Sequence, residues 1–175
     1  MGKVRKQGHP YLHGAPIRIS TYPDLRTHGG TIVSGYGTPV HAATFIRKRK
    51  VVLDADLLTD DRELKRILIH ELFHFAWVRL GNAARLSFER LMKDQYPARG
   101  ELGWSSEYRK RELTPGNVHR RDRKWREYCC EAFCDTAAAI YGDVGRHSEF
   151  TLGKEARRKR IEWFGNHLGS GRIRI

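Results

Sequence analysis

The stretch Ile67-Leu68-Ile69-His70-Glu71-Leu72-Phe73-His74-Phe75-Ala76-Trp77 places two histidines and one glutamate inside an otherwise apolar run. Its flanking residues predict a helix. Asp60 can cap the first turn, with Glu63 three residues later as in a capping box, and Gly81 lies where the helix would end. We therefore expect the whole stretch to lie on one helix that begins near Asp60.

The polar residues of this helix have the spacing of an HExxH motif. At 3.6 residues per turn, His70 and His74 project about 40° apart, so both imidazoles can bind one metal ion. Glu71 lies on the neighbouring arc, where it can reach a water molecule beside the ion. The alternative is a pair of core histidines satisfied by hydrogen bonds, but each would need its own buried polar partner. The motif thus predicts a metal site suited to zinc-assisted hydrolysis.

The length and the charge of the chain limit the class of protein to which it can belong. A chain of 175 residues can bury its own core, and we expect one domain, residues 1–175. The 33 lysines and arginines outnumber 20 acidic residues, which gives a formal net charge of +13. Such a surface attracts nucleic acid, anionic lipid or acidic protein, although a merely solvated basic surface would have the same composition.

Three features bear on the compartment. No apolar run approaches the roughly 20 residues that cross a bilayer, so we expect no membrane span. The basic residues 1–10 lack the apolar core of a signal peptide. All three cysteines lie between positions 129 and 134, too close together on one helix for a disulfide framework. These features predict a cytoplasmic protein.

The remaining pattern predicts an α+β fold. Segments 17–22 and 31–34 have strand character, and segments 44–47 and 51–55 predict a hairpin because the link between them is short. We expect a small N-terminal antiparallel or mixed sheet packed on the helices that hold the metal site. Further helices are predicted at 83–93, 122–141 and 154–168, the last basic and amphipathic, with a long loop at about 94–123 and a frayed tail at 169–175.

The predicted helix 122–141 carries an acidic stripe. Glu127, Glu131 and Asp135 recur at intervals of four residues, and carboxylates stacked on one helix face repel one another unless a positive group lies opposite. A zinc ion or several arginine side chains would meet that need. An exposed acidic stripe is the simpler alternative.

Together the two helices resemble a known class of protein. His70-Glu71-Leu72-Phe73-His74, followed by Glu131-Ala132-Phe133-Cys134-Asp135, is similar to the gluzincin class of zinc peptidases. A short chain with this layout also resembles the minimal, ImmA/IrrE-like members of that class. The matched parts, residues 60–81 and 127–142, cover less than a quarter of the chain. The resemblance implies a zincin helical core whose third metal ligand stands on the later helix.

The resemblance also implies roles for individual residues. It implies that His70, His74 and Glu131 bind Zn²⁺, which leaves a fourth position for water. Glu71 would be the general base, and Asp135 would orient a ligand histidine. The implied reaction is hydrolysis of a peptide bond in a peptide or protein substrate.

Two assignments stay open at this point. Glu127 is a rival third ligand one helical turn from Glu131, although only Glu131 has an aspartate four residues later. The oxyanion of the transition state also needs a hydrogen-bond donor. The candidates for that donor are Tyr128, Tyr141, His147 and His119.

Other zinc proteins compare less well with the sequence. The metzincin class is excluded because Trp77 and Leu80 stand where it has glycine and histidine. The DNA-associated, SprT-like proteases use a third histidine, and His119 ahead of Trp125 is similar to their pattern. The basic charge suits that class, but the cysteine pairs of its zinc ribbon are missing from the sequence.

A function outside catalysis is the remaining alternative. The chain would then be a basic nucleic-acid-binding module in which zinc is structural, and a fourth protein ligand would close the site. Cys130, Cys134 or His119 could supply that ligand. The two cysteines could instead form a redox switch, or be small buried hydrophobic residues.

Overall fold

The computed structural model describes residues 10–169 and 171–175, so the basic residues 1–9 lie outside it. Within the described ranges the chain is a mixture of helices and short strands, which confirms the α+β class. The strands are β1 (Tyr11–His13), β2 (Arg18–Tyr22), β3 (Arg26–His28), β4 (Thr31–Val33), β5 (Thr38–Pro39), β6 (Ala42–Phe45), β7 (Lys50–Asp54) and β8 (Arg172–Arg174). The helices are α1 (Asp61–Arg79), α2 (Asn82–Gln95), α3 (Trp104–Arg111), α4 (Pro115–Arg120), α5 (Arg123–Tyr141) and α6 (Lys154–Leu168).

The sheet that packs on α1 is mixed. Its strand order is β2-β7-β6, with β2 parallel to β7 and β6 antiparallel to β7. The predicted hairpin is confirmed as β6 and β7, joined by a 3-10 turn at Ile46–Lys48 and by Arg49 in the left-handed region, at φ 45°. Val51 and Leu53 of β7 form a buried cluster with Phe75 of α1. This packing fixes the sheet beside the helix that carries the motif.

Helix α1 begins as the sequence predicts. The Asp60 carboxylate accepts hydrogen bonds from the backbone N–H groups of Arg62 at 3.0 Å and Glu63 at 3.1 Å. The Glu63 side chain accepts hydrogen bonds from Arg66, not from the cap residue. The helix ends at Arg79, and Gly81 lies at the N-cap of α2. The predicted end was therefore right to within two residues.

Helices α1 and α5 pack against each other through small and aromatic side chains. Ala76 of α1 and Ala132 and Ala137 of α5 belong to one buried cluster. Phe73 and Phe133 contact each other across the same interface, with ring centroids 5.8 Å apart. Because alanine lets neighbouring helix backbones come close, polar side chains from both helices can meet at the edge of this interface.

The prediction of a long loop at 94–123 was wrong. This segment contains α3 and α4. The start of α4 was visible in the sequence: Thr114 and Asn117 form a capping box, with Pro115 at the first helical position. Helix α3 has a single buried residue, Ser106, and therefore has no apolar periodicity to reveal it. Contacts with distant parts of the chain hold it, as described below.

Two expectations about the C-terminal region were also wrong. Residues 171–175 of the tail do not fray: β8 pairs in parallel with β1, and Ile173 is buried in the main core. The α6 helix has the predicted bounds and buries Trp163 and Phe164. It also buries Arg160, although the prediction of a basic, amphipathic helix puts the run Arg157-Arg158-Lys159-Arg160 opposite the apolar residues. Arg160 forms an ion pair with Glu101 at 2.7 Å, and both side chains are fully buried.

Candidate metal centre

The two histidines of the motif lie one above the other on α1. Their ring centroids are 5.0 Å apart with the ring planes at 76°. The side chain of His70 is 8% exposed and that of His74 is 18% exposed, so the pair lies at the edge of the core. The spacing of four residues thus brings both imidazoles to one side of the helix, as expected.

Helix α5 brings a carboxylate to the free edges of both rings. Oε2 of Glu131 lies 3.3 Å from Nε2 of His70 and 3.8 Å from Nε2 of His74. The rival carboxylate, Glu127, turns away and forms ion pairs with Arg109 at 3.2 Å and with Arg123 at 2.6 Å. Of the two glutamates, the structure therefore brings Glu131 to the histidines.

The other ring nitrogen of each histidine also has a partner on α5. Nδ1 of His70 lies 2.8 Å from Oδ1 of Asp135, and Nδ1 of His74 lies 3.5 Å from Sγ of Cys130. A partner at Nδ1 fixes the tautomer of an imidazole and leaves Nε2 free to bind a metal. Both histidines are thus held with Nε2 toward the Glu131 carboxylate. The contact of Cys130 was not predicted from the sequence.

A thiol lies in the same cluster. Ligand atoms of His70, His74 and Cys134 all lie within 4.8 Å of one another, so these three residues form a group that could hold a metal ion. Glu131 and Cys134 are three residues apart on α5, which puts them on one helix face. Two donor sets therefore overlap, one completed by the carboxylate and one by the thiol.

The electrostatics of the cluster favour a cation. Burial alone would lower the pKa of His70, but Asp135 and Glu131 outweigh burial and raise it well above its usual value. The pKa of His74 rises to about 9, because Cys130 and Glu131 outweigh burial in the same way. Burial would raise the pKa of Glu131, yet the two histidines lower it to about 2. A divalent cation would satisfy the same negative charge and release the protons.

Glu71 is held by a residue of the sheet. Its Oε2 accepts a hydrogen bond of 2.5 Å from the Thr44 hydroxyl on β6, and Glu71 is 8% exposed. Thr44 was not singled out in the sequence, because it is 27 residues from Glu71 and lies in an ordinary strand pattern. The contact fixes the direction of the carboxylate relative to the two histidines.

The N-terminus of α3 supports Asp135. Its Oδ2 accepts a hydrogen bond of 2.9 Å from the backbone N–H of Ser106, while Oδ1 contacts His70. Gly103 packs directly on this carboxylate, and a Cβ atom at position 103 would overlap it. Helix α3 is fixed at its start by Glu149, which accepts a hydrogen bond of 2.9 Å from the backbone N–H of Trp104. The segment expected to be a loop is therefore part of the site.

A cavity of about 360 Å³ opens beside His70 and Glu71. It lies between α1, the N-terminus of α3 and the segment that leads into β6. Trp104, 61% exposed, forms one wall, and Arg66 with Glu149 forms another. Arg66 and Glu149 are paired with each other at 3.1 Å. A ligand in this cavity would lie next to both the cluster and the Glu71 carboxylate.

The structure places the predicted oxyanion donors elsewhere. The Tyr128 hydroxyl is buried and donates to Glu101 at 2.5 Å. The ring of Tyr141 stacks on Phe73 in the aromatic core, where burial raises its pKa to about 12. His147 contacts Glu63 at 3.4 Å, and His119 lies on α4. Tyr128 and His147 therefore make these polar contacts with residues other than the metal-ligand candidates.

Comparisons with known proteins give no relative. The sequence matches no protein-family model and no curated protein, and the fold matches no solved structure. None of the helices in the described ranges has both the length and the apolar character needed to cross a bilayer.

Proposed function

We propose that the chain is a zinc-dependent metallopeptidase of the gluzincin type, with His70, His74 and Glu131 as ligands. The observation that carries the proposal is the approach of one Glu131 oxygen to Nε2 of both histidines, at 3.3 and 3.8 Å. Two neutral imidazoles and one carboxylate are a donor set typical of catalytic zinc. Zinc bound there would polarise the substrate carbonyl and lower the pKa of water.

Glu71 is the proposed general base. In hydrolysis of a peptide bond it takes a proton from the attacking water and delivers it to the nitrogen of the leaving amine. The Thr44 hydroxyl holds the carboxylate in place, and Asp135 holds the His70 imidazole with Nε2 outward. Each of these residues therefore positions a group that takes part in the reaction.

The neighbouring sheet supports a peptide as the substrate. Among the described strands β6 pairs only with β7 in its sheet, so its outer edge can accept an extended peptide as a further strand. Thr44 of the same strand contacts Glu71, so the added strand would lie beside the general base. The cavity at Trp104 would then receive a substrate side chain.

The three cysteines are free thiols, and we propose the cytoplasm as the place of action.

The test uses the purified, zinc-loaded chain and a set of fluorogenic peptides. Hydrolysis should stop when 1,10-phenanthroline removes the metal and return when zinc is added back. Glu71→Gln should keep its zinc and lose turnover, because an amide cannot accept the proton. Glu112→Gln, at an exposed position, is the matched control and should hydrolyse as the wild type does. Turnover that survives in Glu71→Gln would overturn the role of Glu71.

The second candidate is a structural zinc site. The position of the Cys134 thiol beside His70 and His74 favours it. If the thiol is a fourth ligand, the site is closed and holds no water for hydrolysis. X-ray absorption at the zinc edge separates the two cases, because a sulfur ligand lies at about 2.3 Å and nitrogen or oxygen ligands lie at about 2.0–2.2 Å. The peptidase predicts only nitrogen and oxygen ligands. It also predicts that Cys134→Ala keeps its zinc.

A further inference from the structure

A second cavity lies apart from the metal centre. It is a groove of about 470 Å³ between the β2-β7-β6 sheet and strand β4, and we call it the basic groove. It shares no residue with the cavity beside His70. Its lining residues are Arg18, Thr31, Ile32, Phe45, Lys48 and Lys50.

Three positive side chains converge on this groove. Arg18 lies directly opposite Lys50 in the parallel pair of β2 and β7, and Lys50 lies directly opposite Phe45 in the antiparallel pair. Residues directly opposite each other project from the same face of a sheet, and like charges in that position are destabilising. The Lys48 ammonium lies 5.7 Å from the centre of the Phe45 ring, which adds a third charge at the same place.

In the part of the chain that the structure describes, no carboxylate balances these charges. The groove has no acidic residue in its lining, and over residues 10–169 and 171–175 none of Arg18, Lys48 and Lys50 forms an ion pair. Three other cavities contain arginines, and each of them also contains an acidic residue. Arg121, for example, pairs with Glu89 at 2.7 Å. The basic groove is therefore a place where an anionic ligand would find positive charge that no described carboxylate balances.

We propose that the basic groove binds the phosphodiester backbone of a single-stranded nucleic acid. Adjacent phosphates would lie against Arg18, Lys50 and Lys48, where each contact replaces a counterion of the polymer. The apolar side chains of Phe45 and Ile32 give sugars and bases a surface to pack on. The net charge of +13 on the whole chain adds a long-range attraction that a polymer feels more strongly than a single phosphate does.

The shape of the groove favours a single strand over two other polyanions. Its walls come from two different sheets, so one extended chain can contact both walls, whereas the phosphates of a duplex lie on the outside of a wide, stiff helix. A bilayer surface is broad and cannot enter a cleft between strands. An acidic peptide fits the width, and the experiment therefore includes one as a competitor.

The test measures binding of a fluorescent 12-nucleotide oligo(dT) to the full chain by anisotropy over a range of salt concentrations. The groove variant carries Arg18→Gln, Lys48→Gln and Lys50→Gln. The control variant carries Lys124→Gln, Lys154→Gln and Lys159→Gln, three exposed lysines outside the groove, and so has the same net charge. Thermal unfolding of both variants checks that they are folded.

We expect the groove variant to bind about 10-fold more weakly than the wild type. The slope of log K against log salt should fall by about 2, since three phosphate contacts at about 0.7 each are lost. The affinity of the control variant should fall by less than about 3-fold, because only the net charge of the chain has changed. Equal losses in the two variants, or no binding by the wild type at low salt, would overturn the proposal. Displacement of the oligonucleotide by anionic vesicles or poly-glutamate at lower concentrations than by unlabelled oligo(dT) would also overturn it.

Discussion

His70 and Asp135 are joined by a contact of 2.8 Å between Nδ1 and Oδ1, and both residues are almost completely buried. The contact links α1 to α5 at the point where the Glu131 carboxylate faces both imidazoles. Asp135 also accepts the Ser106 N–H, so its carboxylate has one oxygen for the histidine and one for α3. Its orientation is therefore fixed from two sides before any metal binds.

Loss of Asp135 should weaken the metal centre without emptying it. Asp135→Ala removes the partner of His70 but leaves all three proposed ligands, and such changes typically lower metal affinity or activity by about 10–100-fold. Glu131→Ala removes a ligand and should lose most of its zinc. Competition with a chromophoric chelator measures both affinities. Wild-type zinc affinity in Asp135→Ala would contradict the role of this carboxylate.

Thr44 should affect turnover rather than metal binding. Thr44→Val keeps the shape of the side chain but removes the hydroxyl that donates to Glu71, and a hydrogen bond to a charged group contributes about 1.5–3 kcal/mol. We expect kcat to fall by about 10-fold or more, with zinc affinity unchanged. Thr44→Ser restores a hydroxyl and should recover most of the activity. If Thr44→Val and Thr44→Ser have equal kcat values, the hydrogen bond has no part in catalysis.

Only glycine at position 103 should leave room for the Asp135 carboxylate. Gly103→Ala puts a methyl group where that carboxylate lies, and overpacking of this kind costs about 1–3 kcal/mol of stability. Gly145→Ala is the control, because a Cβ there meets no atom within 4 Å. Urea unfolding and zinc titration of the two variants test the prediction. We expect losses of both stability and zinc affinity in Gly103→Ala only.

The sequence predicted the elements that carry their own local signals. Helix α1 was predictable from its apolar period and from the Asp60 cap, and the acidic stripe of α5 marked Glu131 and Asp135. Helix α3 was not predictable from the sequence. Its position depends on the backbone N–H groups of Ser106 and Trp104, which donate to carboxylates 29 and 45 residues away. No window of local sequence contains those partners.

The contact of Thr44 and the burial of Arg160 escaped prediction for the same reason. Thr44 is ordinary for a strand, and only the packing of β6 on α1 gives its hydroxyl a partner. Arg160 belongs to a basic run of the kind that usually faces solvent. In the structure it is buried, and Glu101, 59 residues earlier, compensates the charge of Arg160. Charge alone does not tell an exposed arginine from a buried and paired one.

The buried pair of Glu101 and Arg160 should make stability depend on pH. Burial would raise the pKa of Glu101, but Arg160, Lys110 and the Tyr128 hydroxyl outweigh it and lower the pKa below the usual 4.5. The folded state therefore binds this proton less readily than the unfolded state does. The stabilisation is complete above pH 4.5 and is lost progressively as the pH falls below that value.

Glu101→Gln tests this argument, because the amide leaves Arg160 buried without its counter-charge. Removing one partner of a buried pair costs about 3–5 kcal/mol, so we expect a loss of that size at pH 7. Glu155→Gln, whose partner Arg158 is exposed, should change the stability far less, because solvent screens a surface ion pair. The difference between wild type and Glu101→Gln in urea unfolding should shrink as the pH is lowered from 6 toward 3. A difference that stays constant over this range would mean that the Glu101 charge does not stabilise the folded state.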